Sequence, residues 1–449
     1  MDSLRVFSLS AASGPACIRL VSTLALQSAM LTLCAQSPTI YNFTGSTTDG
    51  ANPHCAPLIN SVGTLFGTTV NGGTSGTGGS SGSGVFYKLV PGTPWTETIL
   101  HNFAVATGDG ASPDGDLLLA GGNIYGTTAS GGASGYGTVY EMKNTMGTWS
   151  ESVLYSFAGG PTDGRSPYSG VILSGGVLYG ATFYGGANGD GTTYSLTPGS
   201  PWTEDVLSSF GASSSDGTNP HSALLDAGGG VYYGTTYYGG SGSSGTVYEL
   251  QSGSPWTETP IYTFTGGADG SNPHSALIMD SSGALYGTTV YGGAHGKGTV
   301  YKLTPGSGGW TESVLHSFAG GASGSYPVAG VVFGSTQSVL YGATTSGGGS
   351  SNCTGGCGTV YELSGGSWAE TVLYAFTGYA NGDGEDAYSD ITYSGGWIYG
   401  TTWNGGTSSE CAAIQAIPNS CNARPICVGG NSSRSLPARL PSRFVFTAV

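Results

Sequence analysis

The stretch Ala284-Leu285-Tyr286-Gly287-Thr288-Thr289-Val290-Tyr291-Gly292-Gly293 runs on through Gly298-Thr299-Val300-Tyr301-Lys302-Leu303 to Trp310-Thr311-Glu312-Ser313-Val314-Leu315-His316-Ser317-Phe318. With the preceding Ser275–Met279, it reads as four short β-strands separated by Asp280-Ser281-Ser282-Gly283, a Gly-rich loop, and Pro305-Gly306-Ser307-Gly308-Gly309. Val, Tyr, Thr, Leu and Trp fill the strands, and Gly, Pro, Asp and Ser fill the gaps. The fourth strand alternates, which predicts Trp310, Glu312, Val314, His316 and Phe318 on one side and Thr311, Ser313, Leu315 and Ser317 on the other.

The unit recurs. Counterparts of Leu-Tyr-Gly-Thr-Thr centre on Gly67, Gly126, Gly180, Gly234, Gly287, Gly342 and Gly400, and the Phe that ends the fourth strand falls at Phe43, Phe103, Phe157, Phe210, Phe264, Phe318 and Phe376. Two independent markers count seven units. Four strands in a unit of about 50 residues is the pattern of a propeller blade, whereas β-solenoid coils are shorter, about 20–30 residues. The expectation is an all-β, seven-bladed β-propeller of four-stranded repeats.

Composition agrees. Gly contributes 83 of 449 residues without a collagen period, and only 8% of residues are charged. An aromatic content of 11% supplies a core and argues against simple disorder. The formal net charge of -15 disfavours nucleic acid, whose phosphates need a basic surface. Residues 1–35, with Arg5 and Arg19 ahead of the apolar run Leu20–Leu33, read as a secretory signal peptide, with cleavage near Ala35. No later stretch reaches the roughly 18 apolar residues of a membrane helix. Export makes a disulfide the default for Cys353-Thr354-Gly355-Gly356-Cys357, and no second ligand pair suggests zinc.

The ordered motifs Leu-Tyr-Gly-Thr-Thr, Gly-Gly, Gly-Thr-Val-Tyr-Glu/Lys-Leu and Trp-Thr-Glu-x-Val-Leu-Tyr-x-Phe, over roughly Thr39 to Gly406, resemble the GloVer-type (choice-of-anchor) tandem repeat family of secreted bacterial proteins. The resemblance implies export, a secreted or extracytoplasmic place at the cell surface or in the periplasm, and often an anchoring tail. It implies no established activity. The Gly-Gly pair is also kelch-like.

The pattern breaks after Gly405-Gly406, where no Gly-Thr-Val-Tyr strand and no Trp strand follow. Composition and pattern change together, which favours a change of reading frame over a divergent cap. The propeller is therefore expected over 36–410, with an incomplete last blade open to association and an irregular tail over 411–449.

Six Trp-x-Glu motifs carry Glu97, Glu151, Glu204, Glu258, Glu312 and Glu370. A Glu repeated in nearly every blade reads as architecture, and no catalytic residue is assigned. The Asp-Gly-x-x-Pro loops at Asp49, Asp109, Asp163, Asp216 and Asp269, with Asp383 as a degenerate copy, read as turns; one Asp per loop is too few for calcium. The residue after the Pro varies: His54, Asp114, Tyr168, His221, His274 and Val328, with Tyr388 in the seventh unit. In a ring these project from one end of the blades, so His54, Asp114, Tyr168, His221 and His274 are the candidate ligand-binding set. Metal binding by the three His is disfavoured because blade 1 need not approach blades 4 and 5. No cofactor motif is present. The function these features favour is a non-enzymatic module binding a glycan, a protein or an envelope component; the alternative is a polysaccharide-acting hydrolase or lyase.

Overall fold

The computed structural model describes residues 39–74, 82–104, 108–406 and 413–418. The segment read as a signal peptide lies outside the described residues. Seven small antiparallel sheets, each of four strands along its main path, form a seven-bladed β-propeller. In blade 5 the strands are Ile278–Met279, Leu285–Tyr291, Thr299–Gly306 and Gly309–Ser317, ordered from the innermost outward.

The repeat markers are the packing units. Gly287 pairs with Tyr301 across the second and third strands, and a Cβ at Gly287 would come within 2.5 Å of the Tyr301 hydroxyl. The Tyr ring therefore lies over a position that only Gly leaves open. From the other side, Phe264 of blade 4 meets the Tyr301 ring edge-on at 5.0 Å. The same Phe–Tyr contact joins Phe43 to Tyr87, Phe103 to Tyr140, Phe157 to Tyr194, Phe210 to Tyr248 and Phe318 to Tyr361, at 4.9–5.2 Å. Each apolar cluster straddles two blades in this way; one combines Tyr233 and Val247 of blade 4 with Leu285, Tyr301 and Leu303 of blade 5. A blade alone could not bury these faces.

Strict alternation in the fourth strand is not observed. Tyr301 pairs with Val314 but Val300 pairs with His316, so Leu315 is the extra residue of a bulge. The bulge turns Leu315 into an apolar cluster and leaves Val314 37% exposed.

The seventh blade is complete, contrary to the expectation of an open edge. Thr392–Ser394 and Trp397–Thr401 are followed by Ala413–Pro418 as the third strand, and Thr39–Asn42 supplies the fourth. Ala413–Pro418 belonged to the stretch read as tail because it carries none of the Gly-Thr-Val-Tyr consensus. Register and burial place it nonetheless: Gly400 pairs with Gln415 where other blades pair Gly with Tyr, and Ile414 and Ala416 are buried against Phe43, Leu65 and Val85. Gln415 substitutes for the Tyr with a different bond, donating from Nε2 to Asp383 Oδ1 at 2.6 Å. Residues 419–449 lie outside the described residues.

The Asp loops are turns, as their chemistry suggests. Asp163 Oδ2 accepts from the Ala158 amide at 2.6 Å and its Oδ1 from the Gly164 amide at 2.6 Å. Asp49 and Asp383 close their loops by the same pair of bonds. The Trp-x-Glu carboxyls sit at the blade junctions, each with a buried Oε1; those of Glu151, Glu204 and Glu312 have no hydrogen-bond partner. Burial, then the neighbouring loop Asp, push Glu97, Glu204 and Glu258 up to about 8 and Glu312 up to about 7.

Candidate ligand site at the axial funnel

In three blades the innermost strand is split into two short pieces that pair with the same second strand. In blade 4 these are Gly217–Pro220 and Leu225–Gly228, both on Val231–Gly239. Blades 1 and 5 repeat the arrangement. The break between the pieces holds the variable residue after the Pro. Two residues before it stands a residue with left-handed φ in every blade: Asn52, Ser112, Ser166, Asn219, Asn272, Tyr326 and Asp386, at 54–59°. Asn tolerates that conformation and here also ties blades together. Asn219 and Asn272 donate from Nδ2 to the carbonyls of Phe183 and Tyr237 in the preceding blades, each at 3.0 Å.

This backbone break turns all seven variable positions toward the ring axis. His54, Asp114, Tyr168, His221, His274, Val328 and Tyr388 line one narrow cavity of about 50 Å³. Above it, a wider funnel of about 600 Å³ is lined by His54, Asp114, Tyr168, His221 and Tyr388 together with Thr345, Asp386, Trp403 and Asn404. The rings touch in sequence. Tyr168 stacks on His221 at 5.4 Å and 7°, His221 lies 3.8 Å from His274, His274 meets Tyr388 at 5.6 Å, and Tyr388 meets His54 at 4.7 Å. The small Val328 of blade 6 stands between His274 and Tyr388 in the repeat order. His54 thus does join the group containing His221 and His274, although they belong to distant blades. Trp403 adds a further ring edge-on to His54 at 5.4 Å.

The three imidazoles differ in charge. Burial pulls His54 down, but its ion pair with Asp114 wins and holds it above the ordinary 6.5. Burial pushes His221 down to about 4, and burial and the adjacent His221 push His274 well below 6.5. The site therefore sets a His54–Asp114 pair, which favours the charged imidazole, beside two touching rings whose charged forms burial disfavours.

A second tier was missed by sequence reasoning. Two residues past the variable position, five blades carry Ala56, Gly170, Ala223, Ala276 and Gly330, but blades 2 and 7 carry Asp116 and Asp390. Both line the narrow cavity. Asp116 accepts from the Ala56 amide at 2.7 Å, and Asp390 accepts from the Gly330 amide at 2.6 Å. Burial raises both proton affinities, and repulsion from Asp116 raises Asp390 further. The signal was available: two acids in register with five small residues.

At the same end of the blades, Tyr184, Tyr238 and Tyr291 are 37–47% exposed. Arg165 lies over the Tyr184 ring at 4.9 Å. Away from the axis, Cys353 and Cys357 are joined by a disulfide. Among the described residues, no helix is long and apolar enough to cross a membrane.

With fold and site established, the class is clear: this is a tandem-repeat β-propeller with an axial funnel. The chain belongs to the Gloeobacter/Verrucomicrobia repeat family, matched over residues 30–248, 145–355 and 221–421, which overlap to cover most of the sequence. None of the curated proteins matches it in sequence. Among solved structures it is similar to a putative 6-phosphogluconolactonase from Bacteroides uniformis, at 15% identity and a TM-score of 0.45, over 70% of this chain and 82% of that one. It is similar to the periplasmic gluconolactonase of Pseudomonas aeruginosa, at 14% identity and a TM-score of 0.46, over 79% and 96%. A GH74 enzyme from Niastella koreensis is similar at 14% identity and a TM-score of 0.49, over 86% of this chain and 54% of that one.

Proposed function

We propose that the axial funnel binds a carbohydrate, and that the protein acts as a non-enzymatic binding module exported from a bacterial cell. The observation that carries this reading is the contact series Tyr168–His221–His274–Tyr388–His54, with Trp403 beside it, at a register position where the repeats differ from one another. Sugar rings present flat C–H faces edged by hydroxyls. Tyr168, Tyr388 and Trp403 offer rings to stack on, and the His221 imidazole, Asn404 and Asp386 offer donors and acceptors for the hydroxyls. Export is supported by the apolar run Leu20–Leu33 and by the Cys353–Cys357 disulfide, which suits an oxidising compartment.

A glycan array followed by calorimetry tests the reading. Tyr388→Ala and Trp403→Ala should each weaken binding of an array hit by roughly 10-fold or more, the loss of a well-packed aromatic anchor. Absence of any glycan hit, or affinity untouched by both variants, would overturn it.

A second reading, a hydrolase or lyase acting on polysaccharide, is favoured by one observation. The Asp116–Asp390 pair places acids with raised proton affinity at the floor of the funnel, a condition for general acid catalysis. Turnover of a bound glycan that disappears in Asp116→Asn and Asp390→Asn while binding persists would select this reading.

A further inference from the structure

At the junctions between blades, three positions meet. They are the residue two before the marker Phe, the Asp of the following loop, and the Glu of the next Trp-x-Glu strand. In most junctions the first position is Tyr, and its hydroxyl donates to the Asp: Tyr155 to Asp163 at 3.1 Å and Tyr262 to Asp269 at 3.2 Å. The phenol proton then occupies the space between the acids.

The junction between blades 1 and 2 departs from this. Its first position is His101, whose Nε2 lies 2.8 Å from Asp109 Oδ2. The ligand atoms of His101, Asp109 and Glu151 all lie within 4.8 Å of one another. Glu151 Oε1 is buried and has no hydrogen-bond partner, so an orphaned carboxylate oxygen faces a second carboxylate and an imidazole. The His101 side chain retains 23% of its exposure, which leaves a path from solvent. His316 stands at the same position between blades 5 and 6. There the loop carries Ser323 in place of Asp; its hydroxyl donates to Glu370 Oε2 at 2.6 Å, and His316 Nε2 lies 3.6 Å from the same oxygen, so only one carboxylate is present. The complete nitrogen and two-carboxylate set therefore occurs at one junction.

We propose that His101, Asp109 and Glu151 form a binding site for a divalent transition metal, zinc by its donor set, with the remaining positions open to water. One imidazole with two carboxylates suits borderline ions. The ion satisfies the buried Glu151 oxygen and joins three separate pieces of chain. These are the last strand of blade 1, the loop after it and the last strand of blade 2, so the ion acts as a staple between blades.

The test uses the full chain without a polyhistidine tag, stripped with chelator and titrated with Zn²⁺ and Co²⁺ by calorimetry. Co²⁺ absorption reports the ligand set, and Tm is followed with and without metal. One equivalent should bind and raise Tm. His101→Tyr installs the residue that other junctions already use, so it should fold with the metal-free Tm of the parent. It should also weaken binding by roughly 100-fold or more, the scale on which a metal site answers to a lost partner. His316→Tyr should leave binding unchanged. Absence of binding to the parent overturns the proposal, as does equal binding by His101→Tyr. A site lost in His221→Ala but retained in His101→Tyr places the metal on the ring axis and overturns it equally.

Discussion

Glu258→Gln is expected to stabilise the ring at alkaline pH and leave it nearly unchanged in acid. Glu258 is half-buried at the blade 4–5 junction, close enough to Asp216 for the two carboxyls to share a proton. Neither the buried Glu258 Oε1 nor Asp216 Oδ1 has another partner. Burial, then Asp216, push Glu258 from its ordinary 4.5 up to about 8. Between those values the folded chain keeps a proton that the unfolded chain has released, so stability falls as pH rises through the window and levels off above it. At 1.36 kcal/mol per tenfold change in proton affinity the ceiling is about 5 kcal/mol; water screening at a half-buried group reduces this to roughly 1–2 kcal/mol. Gln keeps the shape and donates to Asp216 at any pH. At about 2 cal/mol/K per residue, the gain at pH 9 is roughly 1–3 °C in Tm, against less than about 1 °C at pH 5. Differential scanning calorimetry at both values checks it. An equal shift at pH 5 and pH 9, or a parent Tm that does not fall between them, would refute the account of the junction carboxyls.

Deleting Thr39–Phe43 removes the fourth strand of blade 7 and should expose the Ala413–Pro418 edge, giving concentration-dependent association by light scattering. Tyr248→Phe removes a buried hydroxyl that has no partner, so stability should hold or rise by up to about 1 kcal/mol, read from denaturant titration. Gly234→Ala, whose Cβ would sit 2.4 Å from that hydroxyl, should cost roughly 1–3 kcal/mol in denaturant titration, as overpacking does. Reducing Cys353–Cys357 opens a loop closed at a separation of 4 residues and should cost about 2 kcal/mol, read as a small drop in Tm with reductant.

The repeat markers made the fold legible because they are the contact itself. The Phe, the Gly and the Tyr that recur in sequence are the three members of one interblade packing unit. The axial set was legible as a register position, because any residue after the Pro must enter the break in the innermost strand. Its mutual contacts were not legible, because they depend on ring diameter and on the small Val328 between His274 and Tyr388. Asp116 and Asp390 escaped notice because each looks ordinary alone and becomes unusual only beside five Ala or Gly equivalents. Ala413–Pro418 was hidden for a different reason: Gln415 replaces the Tyr and bonds to Asp383 instead, so the packing solution changed while the pairing did not.

The closing sheet also sets an order of events during synthesis. Thr39–Asn42 emerges early, yet its partner Ala413–Pro418 is translated only after six other blades. For nearly the whole of elongation, Phe43 and the face of blade 1 that holds Leu65 and Val85 have no seventh blade to cover them. A chain stopped before residue 413 would present that face permanently. Ring closure thus waits on one late strand, and a product that ends before it keeps an apolar surface of the kind that drives aggregation.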